Sequence, residues 1–206
     1  MRHGTIDRAA FFAEIRLDPF GGRLAKRQVE GLSAILDRWQ ARVGDGDRRQ
    51  LAYVLATAFH ETAATMQPVR ETQAKTDAEA IRRLESAFAA GRLARVKTPY
   101  WRPDPDGRSW LGRGLVQLTH RRNYDAMSAV VGCDLVAEPA LAMRMDVSVA
   151  ILIEGMRRGS FTGRRLDEFF ADAVEDWQGA RRIINGTDRA GLVADHAKAF
   201  ARALRS

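Results

Sequence analysis

Apolar positions recur at helical spacing along most of the chain. Over residues 29–43 the run Val29, Leu32, Ile35, Leu36, Trp39 and Val43 follows a 3.6-residue period, and Gly44 ends it. A second helix is predicted over 48–64, with Leu51, Val54, Leu55 and Ala58 on its inner stripe, and a third over 77–90, closed by Gly91. Further helices are expected over about 119–132, 147–156 and 172–184, the last stopped by Asn185 and Gly186. A final helix over 188–204 begins at the acidic N-cap Asp188. The interval 98–119 breaks this pattern. It holds three of the six prolines, the glycines Gly107, Gly112 and Gly114, and the aromatics Tyr100, Trp101 and Trp110. That mixture predicts an irregular loop or small hairpin with aromatic walls, then a short extended segment over 115–119. A loop this long inside a folded domain is usually functional or disordered, and three aromatics argue against disorder. The expected fold class is α-rich α+β, one domain over 1–206 with a minor β element.

Composition agrees with a packed domain. The 206 residues are 46% hydrophobic and 29% charged, enough apolar content for a real core. No stretch approaches the roughly 18 consecutive apolar residues of a membrane span, and the N-terminal 20 residues lack the apolar run of a signal peptide. The single cysteine, Cys133, excludes an intrachain disulfide and reads as a small hydrophobe among valines. Synthesis in the cytoplasm, without an export signal, is the expectation. The net charge of +7 narrows the partners to polyanions: nucleic acid, anionic membrane or bacterial envelope polymers. Its arginines are scattered as pairs, such as Arg82-Arg83, Arg121-Arg122 and Arg181-Arg182. That dispersal speaks against a nucleic-acid recognition helix.

Candidate chemistry begins at His60-Glu61-Thr62. Glu61 stands seven residues after Val54 and three after Ala58, which returns it to the inward stripe of its helix. A carboxylate on an apolar face is costly unless paired or neutral, and a neutral one suits a general acid. His60 has no second histidine four residues on, since position 64 is alanine, and His3, His120 and His196 give no ligand spacing, so no metal site is read. Glu71 follows beyond the helix-breaking Pro68. One carboxylate on a rigid helix and one on a loop suits inverting glycoside hydrolysis, where the two stand about 6.5–9.5 Å apart to admit water. The stretch Gly112-Arg113-Gly114-Leu115-Val116-Gln117-Leu118-Thr119 lacks the lysine of a phosphate-binding loop and the third glycine of a dinucleotide site. Its glycines permit close backbone approach, Thr119 is placed to cap the next helix or to hold a water, and the amides of Gln117 and Asn123 suit sugar hydroxyl and N-acetyl groups.

In this order HET, GRGLVQLTHRRNY and RRIINGT resemble the family 19 chitinases and related phage endolysins, over about residues 51–190. The resemblance implies a lysozyme-like, α-rich fold and inverting hydrolysis of β-1,4-linked N-acetylated sugar polymers. It implies Glu61 as general acid and Thr119 as the hydroxyl that orients the attacking water. Gln117, Asn123 and Asn185 would bind sugar or support the site, with His60 and Tyr124 of the same motifs among the substrate-binding residues. Glu71 is assigned as general base from its place after the helix, where the sequence departs from the chitinase pattern. Trp101, Trp110 and Tyr100 would be platforms for sugar rings. No metal or cofactor is needed, and a monomer is expected. The positive charge and the missing signal and disulfides favour peptidoglycan over chitin, and a phage- or prophage-type bacteriolytic enzyme that reaches the wall through a partner pore protein. A chitinase is the first alternative, and a catalytically silent, nucleic-acid-binding protein the alternative of another class.

Overall fold

The computed structural model describes residues 6–94 and 96–205, so His3 and the first five residues of the N-terminal segment lie outside the described residues. Two helices form the centre. Helix α3 (Arg48–Glu61) starts at Asp47, whose carboxylate accepts from the Arg49 N–H, and is buried continuously from Leu51 to Phe59. Helix α6 (Met145–Arg158) is buried continuously from Val147 to Met156. Burial on all sides marks them as interior helices, around which the amphipathic ones are laid. Helix α7 (Ala190–Ala203) packs chiefly along α3, while α2 (Lys26–Arg42) and α5 (Arg121–Val131) pack on α6. Helix α1 (Arg8–Leu17), which the periodicity did not predict, is capped by Asp7 and buries Phe11 and Ile15. None of these helices is long and apolar enough to cross a membrane.

Helix α4 (Asp77–Ala89) lies outside that core. Thr76 caps it, and Ala80 and Leu84 on its inner face meet Trp101 and Leu111 in a second, smaller hydrophobic cluster. The minor β structure consists of two antiparallel pairs of two-residue strands. Strand β1 (Val69–Arg70) runs antiparallel to β2 (Arg113–Gly114), with Val69 opposite Gly114. Strand β3 (Phe170–Ala171) pairs antiparallel with β4 (Val174–Glu175).

Four sequence expectations change. The final helix begins at Ala190 behind Arg189, which gives no side-chain cap, and not at an Asp188 N-cap. The helix expected over 172–184 is the β3–β4 hairpin followed by a short 3-10 helix, Gly179–Ile183. Asp176 accounts for the difference: its Oδ1 accepts from the Gly179 N–H at 2.7 Å, a side-chain bond that competes with helix formation. The extended segment expected over 115–119 is a tight turn, closed by Arg113 and Leu118 bonding each other's backbones at 3.2 and 2.9 Å, and only Arg113–Gly114 is strand. Helix α5 begins two residues late, with His120 at the N-cap position at φ 64° and no side-chain cap, so Thr119 does not cap it.

Candidate active site

Glu61 sits where the buried stripe of α3 reaches the surface, in the helix's last turn. Its Oε1 accepts from Nη1 of Arg181 at 2.8 Å. Arg181 comes from the 3-10 helix and is 3% exposed, against 16% for the Glu61 side chain, so the pair is nearly dry. Arg181 Nε also donates to the Asp188 carbonyl at 3.0 Å, which fixes the guanidinium. One and two turns back on the same face, Thr57 and Tyr53 are fully buried, and neither hydroxyl has a partner. Burial pushes the Tyr53 hydroxyl above its ordinary pKa, opposed by the nearby Arg181. Burial lowers the pKa of His60; Glu61 opposes that shift, and Arg181, Arg189 and His196 reinforce it. Beyond Glu61 the chain turns sharply: the buried Thr62 hydroxyl donates to the Ala58 carbonyl and accepts from the Met66 N–H.

Glu71 is held by the other lobe. Its backbone N–H donates to the Gly112 carbonyl at 2.7 Å, and the Gly112 N–H returns a bond to Oε2 at 2.8 Å. The Tyr100 hydroxyl donates to Oε1 at 2.7 Å. Burial, and then the Glu71 charge, raise the pKa of that hydroxyl, so it keeps the proton it donates. Both carboxylate oxygens are therefore aimed. Gly112 is a site of close approach: a Cβ there would lie 2.8 Å from Gln117 Oε1 and 3.3 Å from Glu71 Cβ and Oε2. Gln117 is strapped across this point by its Nε2, which donates to the Val69 carbonyl at 3.0 Å.

Behind these groups lies a charged scaffold. Asp77 accepts from Arg70 Nε and Arg113 Nη2, each at 2.6 Å. Arg113 is 2% exposed and also donates to the Ser109 and Leu111 carbonyls and the Tyr124 hydroxyl. These bonds join β1, β2, α4 and α5, so the two segments that frame Glu71 move as one body.

A cavity of about 230 Å³ opens beside the turn that carries Gln117. Gln117, Thr119, His120 and Asn123 line one wall, and Ile184, just past the 3-10 helix that carries Arg181, lines the other. Backbone strain concentrates at the same place. Of the nine non-glycine residues with positive φ among the described residues, seven lie within 63–73 and 117–120. Such outliers persist where surrounding structure over-determines them, and they cluster at functional sites.

Gln117, Thr119 and Asn123 thus line one cavity, Glu71 adjoins it through Gly112, Gln117 and His120, and Glu61 and His60 stand together beside Arg181. The Asn123 amide is already used, donating to the Thr119 carbonyl at 2.8 Å. Asn185 is exposed, one residue past Ile184, and its N–H donates to the Arg181 carbonyl at 2.9 Å. The aromatic expectations need correction. Trp101 is fully buried with its indole N–H on Glu85 at 2.6 Å, and Trp110, 6% exposed, packs edge-on to Tyr124, so neither offers a face to a sugar. Tyr124 is fully buried and its hydroxyl serves Arg113 and the Leu111 carbonyl, which makes it scaffold. Tyr100 orients Glu71 instead of forming a platform. The most buried carboxylate of the chain, Glu154, is taken up by Arg42, Arg157 and Arg158 and lines none of these cavities. The roles of Arg181, Asp77 and Arg113 were not read from the sequence, because their partners lie too far away along the chain. No protein-family model matches this chain, and no curated protein sequence matches it.

Proposed function

We propose that this chain is a peptidoglycan-degrading glycoside hydrolase with a lysozyme-like, helix-rich architecture, cutting β-1,4 links between N-acetylated sugars with inversion. The observation that carries the reading is the pair of carboxylates held by unlike partners at either end of a strained segment, with positive φ at Ala63, Ala64, Met66, Thr72 and Gln73. Glu61 rests on a nearly dry arginine at the end of a buried helix, while Glu71 is aimed by a tyrosine and a backbone N–H on a loop. One carboxyl group on a helix end and a second on a loop are the pair that an inverting acid and base require.

In the proposed reaction Glu61 gives its proton to the glycosidic oxygen as the C–O bond breaks toward an oxocarbenium-like state. Arg181 then compensates the carboxylate this leaves behind. A water on the opposite face of the ring, positioned by the Thr119 hydroxyl and the Gln117 side chain, attacks the anomeric carbon, and Glu71 takes its proton. The scaffold of Asp77, Arg70 and Arg113 keeps Glu71 in line, which matters because small misplacements of catalytic groups are costly. The net charge of +7 supports an anionic wall polymer as substrate over neutral chitin. A bacteriolytic enzyme of this kind would reach the wall through a partner pore.

Digestion of purified sacculi, with the soluble products analysed by mass spectrometry and NMR, tests the proposal. It predicts new reducing sugar ends released first as the inverted, α-anomer. Release of peptides without new reducing ends, or no release at all, overturns it.

A further inference from the structure

A groove of about 570 Å³ opens along the segment that connects the two carboxylates. Thr65, Gln67 and Pro68 from the turn after α3, and Val69, Arg70, Gln73 and Lys75 around Glu71, form one side. The first turn of α2, with Arg27 and Gln28, forms the other. The groove flanks Glu71: Arg70 and Gln73 lie on either side of it in the chain, and the Val69 carbonyl holds the Gln117 amide. Three cations and no carboxylate line it, in a chain where acids are nearly as common as bases, 26 to 33.

These cations are not equivalent. Arg70 is committed to Asp77 at 2.6 Å. Arg27 forms no side-chain hydrogen bond or ion pair with the described residues. Lys75 is tied through its backbone N–H to Glu79, and its ammonium senses that carboxylate only through space. Arg27 therefore faces the groove with no side-chain partner among the described residues, and Lys75 faces it offset by Glu79 only through space. The Gln73 backbone, at φ 56°, presents its amide side chain on the same rim. The Gln28 and Gln67 amides and the Thr65 hydroxyl bond backbone groups, which leaves the Gln73 amide and the cations to meet an acylated group that ends in a carboxylate.

We infer that this groove binds the carboxylate-bearing side groups of the glycan, so that Arg27 and Lys75 select a substituted, anionic polymer over a neutral one. The inference rests on the glycosidase reading and adds a determinant of substrate class to it. Two sources carry this chemistry in a wall polymer: the ether-linked lactyl carboxylate on the sugar, and the carboxylates of an attached peptide.

The test compares the wild-type chain with Arg27→Gln/Lys75→Gln on three substrates: peptide-bearing glycan, glycan stripped of peptide by an amidase, and chitin oligosaccharides. Two exposed charges lost together predict a fall of about tenfold in the ratio of kcat/KM for peptide-bearing glycan over chitin oligosaccharide, a preference that shrinks as salt is raised. In intact glycan the lactyl carboxyl is tied up in the amide bond to the peptide, so a fall on intact glycan assigns the peptide carboxylates, and a fall confined to stripped glycan assigns the lactyl carboxylate that the amidase frees. An unchanged ratio, or equal loss on charged and neutral substrates, overturns the inference. Titration with N-acetylmuramyl dipeptide, whose carboxylate is on the peptide, and with N-acetylmuramic acid, whose lactyl carboxylate is free, separates this failure from that of the glycosidase reading. Binding that weakens in the double variant upholds the groove even if no polymer is cut, and absence of binding to the wild type overturns it.

Discussion

Replacing Gly112 with alanine puts one methyl group into the tightest part of the cleft. The new Cβ lies 2.8 Å from Gln117 Oε1 and 3.3 Å from both Cβ and Oε2 of Glu71. Contacts involving carbon relax at about 3.5–4.0 Å, so the amide oxygen must retreat by roughly 0.7–1.2 Å. It cannot do so freely. The other end of the amide holds the Val69 carbonyl at 3.0 Å, and Glu71 is paired through its backbone to residue 112 itself. Overpacking together with one weakened hydrogen bond predicts a stability loss of about 1–2 kcal/mol. In a chain of this length that is a fall in Tm of about 2–8 °C. The effect on turnover is larger, because displacing a reacting group by about 1 Å costs on the order of a hundredfold in rate. Sacculus clearing and thermal unfolding, measured on the same preparation, check both numbers. Wild-type clearing by a folded Gly112→Ala protein would refute the view that Glu71 must be held where Gly112 and Tyr100 hold it.

Two further substitutions probe the scaffold. Tyr53 buries a hydroxyl that has no partner, so Tyr53→Phe is expected to raise stability by up to about 1 kcal/mol in denaturant titration; a comparable loss would mean that the hydroxyl is bonded in solution. For Asp77, burial alone would raise the carboxyl pKa, but the hydrogen bonds and charges of Arg113 and Arg70 hold it below the usual carboxylate range. A depressed folded value means that its stabilisation is complete above the unfolded pKa of about 3.9 and is lost as pH falls through the folded value. Asp77→Asn should therefore unfold more easily at neutral pH, where the buried Arg113 has lost its counter-charge, and should lack that component of acid destabilisation. Melting curves over about pH 2–7 decide, and parallel acid slopes in both proteins contradict the assignment.

The central helices were legible because their apolar period is long and uninterrupted: α3 and α6 carry continuous buried runs that no local side chain disrupts. Helix α1 was not, since its contribution to the core is confined to Phe11 and Ile15. Around residue 176 the apolar spacing alone suggested a helix, and the competing bond from Asp176 to the Gly179 backbone is invisible to a periodicity reading. The same division runs through the site. Glu61 stood out because a charge on an inward stripe conflicts with its surroundings, and the motif glycines marked the loop at 112–114. Its partner Arg181 is 120 residues away, and only the folded chain brings the two together. Aromatic residues in a loop announce an ordered wall without saying which face is free. Trp101 met Glu85 and Trp110 met Tyr124, and both became core.

The most direct test of the proposed chemistry is the clearing of outer-membrane-stripped Gram-negative sacculi by the wild-type chain and by Glu61→Gln. The substitution keeps the shape of the side chain and an acceptor oxygen for Arg181, but leaves no carboxyl proton to give to the leaving sugar. Clearing by the wild type and none by a folded Glu61→Gln protein is the predicted result, whereas equal clearing by both would contradict the assignment of Glu61 as general acid.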